Sequence, residues 1–363
     1  MKAVILAGGL GTRLRPLTFN TPKALVPVLN RPFLEYVLRS LEKHGIDEVI
    51  LTLSHLAPAI EACFGDGRRL GLKIHYVMEN SPLGTAGAVK NSIEFISDSF
   101  FVLNGDVFTD LDFSALLAFH RQHKARVTIA LIPVENPTSY GLIETDSRGC
   151  VRRFLEKPRP EEVTTNMINA GAYILEPEVL NSIPAGTEYS FERQLFPVLL
   201  AHREPVYAYA YAGYWIDIGS PEKYCQINHD LLSGKGGQHG FPRGDEVIIE
   251  AGSQIHPTAS LIGPVLVGGN CHIGKGVTIT GPSVIGPRCR IEDGATIIQS
   301  IIWQDVIIGS TCRVVSSIVA NGCRLQAGCE ANGAVIGDNV SMSRGYKLEP
   351  GMRVDPGEKR GRP

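Results

Sequence analysis

The chain begins Met1-Lys2-Ala3-Val4-Ile5-Leu6-Ala7-Gly8-Gly9-Leu10-Gly11-Thr12-Arg13-Leu14-Arg15. An apolar run of strand length passes directly into a loop carrying three glycines and then two arginines. Glycine lets a backbone turn tightly or approach a ligand closely, and arginine beside exposed N–H groups suits an anion, phosphate first among them. Two familiar phosphate loops do not fit. A dinucleotide fingerprint placed on Gly9 and Gly11 needs its third glycine where Leu14 stands, and a P-loop counted from Gly8 or Gly9 reaches Arg13 or Leu14 instead of Gly-Lys. Taken alone, the segment also reads as a plain glycine turn leaving a buried strand.

Working outward, strand and helix patterns alternate through roughly residue 225, the mark of an α/β domain with a largely parallel sheet. Lys2–Leu6, Glu48–Leu53, Lys73–Tyr76, Phe100–Leu103 and Val127–Ile132 read as strands. Between the first two, Phe33, Leu34, Val37, Leu38 and Leu41 share one helical face, and Gly45 stands where that helix would stop. In such sheets ligands bind beyond the carboxyl ends of the strands, where the Gly8–Arg13 loop belongs. Beyond Ser233-Gly234-Lys235-Gly236-Gly237 the period becomes six: Val267, Ile273, Ile279, Ile285, Ile291 and Ile297, then, after a one-residue slip, Ile302, Ile308 and Val314. This repeat predicts a parallel β-helix. Two positions before such anchors stand Cys271, Val277, Ser283, Cys289, Ala295, Cys312, Cys323 and Cys329, small residues for a tight slot. Five of the eight cysteines are thereby explained as packing in a reduced protein, and no C-x-x-C pair points to zinc.

With 363 residues, 44% of them hydrophobic, and a net charge of −2, the composition predicts a globular protein of two domains. Scattered basic residues argue against a nucleic-acid surface. The apolar run Ala3–Ala7 is too short for a signal peptide or a membrane span, so the expectation is a cytoplasmic protein without membrane or nucleic-acid partners.

Further polar residues fall at informative places. Lys23, after Pro22, follows the glycine loop closely enough to reach the same phosphates as Arg13, although a solvated surface lysine is the plainer reading. The buried run Phe100-Phe101-Val102-Leu103 leads into Asn104-Gly105-Asp106, where a carboxylate is placed to hold Mg²⁺ or, alternatively, to cap a turn. Phe154-Leu155-Glu156-Lys157-Pro158, Asn169-Ala170-Gly171 and Tyr214-Trp215-Ile216-Asp217-Ile218-Gly219 complete the series. These motifs, in this order, resemble the sugar-1-phosphate nucleotidyltransferases across nearly the whole chain.

The resemblance implies a Rossmann-like, mostly parallel α/β sheet in a catalytic domain over 1–232, a linker over 233–246, a left-handed parallel β-helix over 247–345 and a tail over 346–363. It implies that Leu6, Ala7, Gly8, Gly9, Gly11 and Thr12 wrap the nucleotide while Arg13 and Lys23 hold its β- and γ-phosphates. By the same resemblance Asp106 and Asp217 are the Mg²⁺ carboxylates, and Lys157 grips the sugar phosphate. Gly141, Glu156 and Asn169 belong to the sugar side, and Glu79, Gly84 and Thr85 line the base pocket. Arg13, Lys23, Asp106, Lys157 and Asp217 would then carry transfer from a nucleoside triphosphate to a sugar-1-phosphate. An attacking phosphate with its second pKa near ~6 needs no general base, in keeping with the lack of a Ser-His-Asp pattern.

Base choice turns on Glu79. An amide suits uracil or thymine, whereas a carboxylate only accepts and matches the adjacent N1–H and N2–H₂ of guanine. Pro82-Leu83-Gly84-Thr85-Ala86-Gly87 also resembles the mannose-1-phosphate guanylyltransferases, unless Glu79 simply faces solvent. Three rivals stay in view: a glucose-1-phosphate uridylyl- or thymidylyltransferase, an inactive regulatory subunit, and a bifunctional enzyme using His256 or His272 at repeat turns for acyl transfer. Exposed ends of a β-helix favour a homo-oligomer.

Overall fold

The computed structural model describes residues 1–236 and 246–361, so most of the expected 233–246 linker lies outside the described residues. The chain forms two compact units, one of Met1–Gly9 with Leu34–Asp217 and the other of Leu10–Phe33 with Ile218–Pro363. It passes from the first to the second between Gly9 and Leu10, inside the glycine loop.

Before the linker the elements are β1 (Lys2–Leu6), the hairpin strands β2 (Pro27–Val28) and β3 (Arg31–Pro32), α1 (Phe33–Lys43), β4 (Glu48–Leu53), α2 (Ala57–Phe64), β5 (Lys73–Met78), α3 (Gly84–Lys90), β6 (Phe100–Asn104) and β7 (Val107–Thr109). There follow α4 (Phe113–His123), β8 (Val127–Pro133), β9 (Gly141–Thr145), β10 (Val151–Glu156), β11 (Met167–Leu175), α5 (Phe196–Ala201), β12 (Val206–Ala210), β13 (Trp215–Asp217) and α6 (Pro221–Leu232). All five expected strands and the expected helix form. Gly45 takes a left-handed φ of 72° just past α1, the position where a side chain would be strained.

The sheet of the first unit runs β10-β9-β11-β6-β1-β4-β5, with β8 beside β11 and β12 beside β8. The Rossmann-like parallel half is β6-β1-β4-β5, and β1 at its centre buries Ala3, Val4 and Ile5 completely. The other half is antiparallel where β11 meets β6, β8 and β9, so the whole sheet is mixed. Along β8 the register of β11 shifts between Asn169, opposite Leu131, and Tyr173, opposite Ile129. The extra backbone in this bulge includes Gly171, at a φ of 72°.

In the second unit, the six-residue anchors all point inward and are fully buried, from Val267 through Val314. Three parallel ribbons of seven, seven and five strands form the walls of the β-helix. Val267 pairs with Ile285 eighteen residues on, whereas Ile285 pairs with Ile302 after seventeen, which is the origin of the slip. A serine ladder accommodates the shortened coils: the Ser283, Ser300 and Ser317 hydroxyls accept from the N–H groups of Ser300, Ser317 and Ala334 at 3.0–3.1 Å. The inward cysteines add a thiol ladder, with Cys271, Cys289, Cys312, Cys323 and Cys329 donating to carbonyls of Gly286, Trp303, Gln326, Gly337 and Ser343 at 2.9–3.1 Å. All eight cysteines are unpaired thiols, and burial pushes Cys323 up to about 12.

The coil extends past residue 345, where the sequence suggests a tail. Arg353–Val354 pairs with Val335–Ile336 and Lys359–Arg360 with Ser341–Met342. Leu348 and Val354 keep the six-residue step and are buried, but charged neighbours at Glu349, Arg353, Glu358 and Lys359 obscure it in the sequence. His272, expected at a turn, lies on a strand with Ile273, and His256 is exposed and bonded to Thr258.

Candidate active site

In the first unit, β1 delivers Leu6 and Ala7 beside the end of β6. Gly105 donates its N–H to the Leu6 carbonyl at 2.9 Å, and a Cβ on Gly105 would lie 2.7 Å from that same oxygen. Glycine is therefore required for the two strand ends to approach, and Asp106 follows directly, before β7. In the antiparallel β7–β13 pair Asp217 stands opposite Val107, the residue that follows Asp106 in the chain. Tyr140 donates its hydroxyl to Asp217 Oδ1 at 3.0 Å and stacks edge-on against Trp215, whose indole N–H donates to the Ala170 carbonyl. Two hard carboxylates at strand ends are the donor set Mg²⁺ takes together with substrate phosphates, so these residues fit that ion.

Glu79 does not face open solvent. Its Oε2 accepts the Leu83 N–H at 3.3 Å, and its Oε1 is 3.0 Å from where a Gly8 Cβ would sit. Ser54 donates its hydroxyl to the Gly8 carbonyl on the same side. Burial raises the Glu79 pKa, with the Leu83 bond acting in the other direction. A Cβ on Gly9, by contrast, would meet nothing within 4 Å, so internal packing does not demand glycine there. Gly84, at a φ of 68°, and Gly87 allow α3 to lie against the backbone of residues 187–189, with the Gly84 Cβ position 2.8 Å from the Tyr189 carbonyl. Thr85 accepts the Phe191 N–H and donates to Glu192 Oε2 at 3.1 Å.

The motifs expected on the sugar side gather around the bulge. Asn169 accepts the Gly171 N–H and donates to the Tyr173 hydroxyl at 2.7 Å, and that hydroxyl donates to Glu192 Oε1 at 3.4 Å. Gly141 pairs with Glu156 across β9–β10, and its missing side chain leaves 3.0 Å to Glu156 Oε2. Burial, then the charge of Glu192, raises the Glu156 pKa against the opposing pull of Lys157 and Arg193. Burial drives Tyr173 far up as well. Lys157 is exposed and holds a left-handed φ of 50° ahead of Pro158, its N–H bonded to the Tyr140 carbonyl at 3.0 Å. Such a conformation costs roughly 1–3 kcal/mol in a non-glycine residue and clusters at functional sites.

The remaining motif residues lie in the second unit. Gly11, at a φ of 61°, packs with its Cβ position 3.1 Å from both Lys23 Cβ and Thr18 Cγ2, and Thr18 donates to its carbonyl at 2.8 Å. Thr12–Leu14 forms a short 3₁₀ turn that buries Leu14 and leaves Thr12 and Arg13 exposed. Gly11, Thr12, Arg13 and Lys23 are thus gathered in one loop, while Glu79, Asp106, Glu156, Asn169 and Asp217 are set on the sheet of the other unit. Glu192 and Tyr140 escaped the sequence reading. The signal for Glu192 was a lone carboxylate between the buried Phe191, Leu195 and Phe196.

Residues 2–234 match the nucleotidyl transferase family. The chain belongs to that family. Residues 244–348 of this nucleotidyl transferase match the LbH domain of the eIF2B epsilon subunit, in keeping with the left-handed β-helix. It is 42% identical over 278 residues to a mannose-1-phosphate guanylyltransferase of Mycobacterium tuberculosis, covering 76% of this chain and 77% of the relative. It is 39% identical over 338 residues to a UTP–glucose-1-phosphate uridylyltransferase of Synechocystis, covering 88% and 87%. Among solved structures, HddC from Yersinia pseudotuberculosis complexed with GMP-PN superposes with a TM-score of 0.56 at 32% identity, covering 63% of this chain and 99% of HddC. Among the described residues, no helix is long and apolar enough to cross a membrane.

Proposed function

We propose that this sugar-1-phosphate nucleotidyltransferase joins GTP and mannose-1-phosphate to give GDP-mannose and pyrophosphate, acting in the cytoplasm as a homo-oligomer with residues 1–232 as its catalytic domain. The observation that carries the guanine choice is Glu79. It is a half-buried carboxylate with a raised pKa, and among the described residues the one hydrogen bond its carboxylate accepts comes from the Leu83 N–H. A guanine edge would supply the two donors that such a group lacks. The likenesses to a guanylyltransferase and to a protein complexed with GMP-PN support the same choice.

A sugar-phosphate oxygen attacks the α-phosphorus of the triphosphate and pyrophosphate departs. Arg13 and Lys23 hold the β- and γ-phosphates, and Leu6, Ala7, Gly8, Gly9, Gly11 and Thr12 surround the nucleotide. Gly84 and Thr85 shape the base pocket by fixing α3. Lys157 receives the sugar phosphate, and Gly141, Glu156 and Asn169 receive sugar hydroxyls. Asp106 and Asp217 would hold Mg²⁺, which when bound neutralises and orients the reacting phosphates. The long match to a uridylyltransferase favours one alternative, glucose-1-phosphate uridylyl transfer. Pyrophosphate release over a grid of four nucleoside triphosphates and several sugar-1-phosphates separates them: GTP with mannose-1-phosphate is expected to be fastest, and a maximum with UTP and glucose-1-phosphate would replace this reading by the alternative.

A further inference from the structure

The loop that carries Arg13 and Lys23 is fastened to the β-helix within one compact unit. Arg353 Nη1 donates to the Arg15 carbonyl at 3.2 Å and lies 3.5 Å from the Arg13 carbonyl. Its strand is locked by Val354, which is fully buried inside the last coils, so the alternating neighbour Arg353 faces outward. Glu222, at the start of α6, lies 4.0 Å from the same guanidinium. Further along the loop, Asn20 donates to Asp338 at 3.3 Å and Asn30 to the Ile285 carbonyl at 3.0 Å. The Trp303 indole N–H donates to the Tyr224 hydroxyl at 2.9 Å, and that hydroxyl donates to the Pro27 carbonyl.

A loop that binds a polyanion must present N–H groups and cations to it while its carbonyl dipoles are turned away and satisfied. The first of these carbonyls belongs to Arg13, the residue whose side chain is assigned to the triphosphate, and the second lies two residues on. We propose that Arg353 is a positioning residue for nucleotide transfer: by holding these two carbonyls it fixes the Thr12–Leu14 turn, so that the β-helix sets the geometry of the phosphate loop. The proposal rests on the reading of Arg13 as a triphosphate ligand. It gives the β-helix a part in catalysis without any reacting group of its own.

The test uses the full-length Arg353→Ala and Arg353→Lys proteins, with two readouts. For Arg353→Ala, the KM for GTP should rise about fivefold while kcat and the KM for mannose-1-phosphate stay within about twofold, the pattern of lost nucleotide positioning. Trypsin cleavage after Arg13 should accelerate severalfold, a change that needs no turnover to be seen; the Arg15–Pro16 bond resists trypsin because proline follows. Arg353→Lys keeps the charge without the planar fork and should fall between wild type and Arg353→Ala, and added guanidinium should partly restore Arg353→Ala. Unchanged cleavage, an unchanged KM for GTP, or equal rises in both KM values would overturn the proposal. If Arg353→Ala does not fold, Arg353→Lys alone decides it on the same two readouts. Failure of the underlying transferase reading is recognised separately, because then the wild type itself releases no pyrophosphate from any nucleotide, and the catalytic role of Arg353 falls with it.

Discussion

The mixed sheet and the β-helix solve opposite problems with the same buried aliphatic residues. In the β-helix every coil repeats the last, so Ile273, Ile291, Ile308 and Leu325 stack in one column and each backbone group finds its partner one coil away. Its left-handed non-glycine residues, Asn270, Arg288, Gln299, Asp305, Thr311, Ser316 and Asn339, fall at the turns and bends between strands, several of them one coil apart, so they belong to the repeat. The sheet breaks its own regularity where polar groups gather: a bulge at Asn169–Tyr173, a left-handed Lys157, and Gly105 pressed onto Leu6. The lesson is that backbone irregularity that recurs with the coil belongs to the support, whereas a break that occurs once, beside clustered polar groups, is where the proposed chemistry is best sought.

The largest expected break in this contrast comes from Asp106→Asn. It removes one of the two proposed Mg²⁺ carboxylates while keeping the side chain's size, and turnover should fall by roughly a thousandfold, corresponding to several kcal/mol of charge stabilisation. Full activity of that variant in Mg²⁺ would remove Asp106 from the chemistry. Ile297→Ala acts on the opposite side of the comparison. Ile297 is completely buried, so unfolding should become easier by about 2–5 kcal/mol in a denaturant titration while kcat of the folded protein stays near wild type. A loss of kcat with unchanged stability would mean that the β-helix core is no mere support.

The smallest expected effect sharpens the comparison through pH. Because burial and Glu192 raise the folded-state pKa of Glu156, the folded protein holds that proton more tightly than the unfolded chain. The sign follows: stability is lost as pH rises from the unfolded carboxyl range through the folded pKa, and the penalty is absent below both. Glu156→Gln should therefore raise the thermal midpoint at pH ~7 and leave it nearly unchanged at pH ~4. An equal shift at both values would show that lost packing, not the buried charge, is responsible.

Much of this was legible because burial is periodic. The six-residue step exposed the β-helix, and apolar runs bounded by glycine exposed the parallel half of the sheet. What stayed hidden depends on distant partners. Glu192 meets Thr85 across 107 residues, and Arg353 meets Arg15 across 338, separations at which no local pattern survives. The final coils were hidden for a different reason, since their inward Leu348 and Val354 alternate with charged outward residues and the pattern resembles a solvated tail. The motifs themselves stand in the sequence, but nothing in it shows that Gly11, Arg13 and Lys23 share a compact unit with the β-helix.

The account depends most on Glu79 as the group that selects the base. Steady-state kinetics of wild type and Glu79→Gln with GTP and UTP, at fixed mannose-1-phosphate, test it directly. A glutamine turns an NH₂ donor toward one of the guanine donors, a mismatch of about 1–3 kcal/mol, so kcat/KM for GTP should fall about tenfold to a hundredfold. The value for UTP should hold or rise, because an amide matches the uracil edge. Equal losses for both nucleotides, or a wild type that prefers UTP, would contradict the guanine assignment.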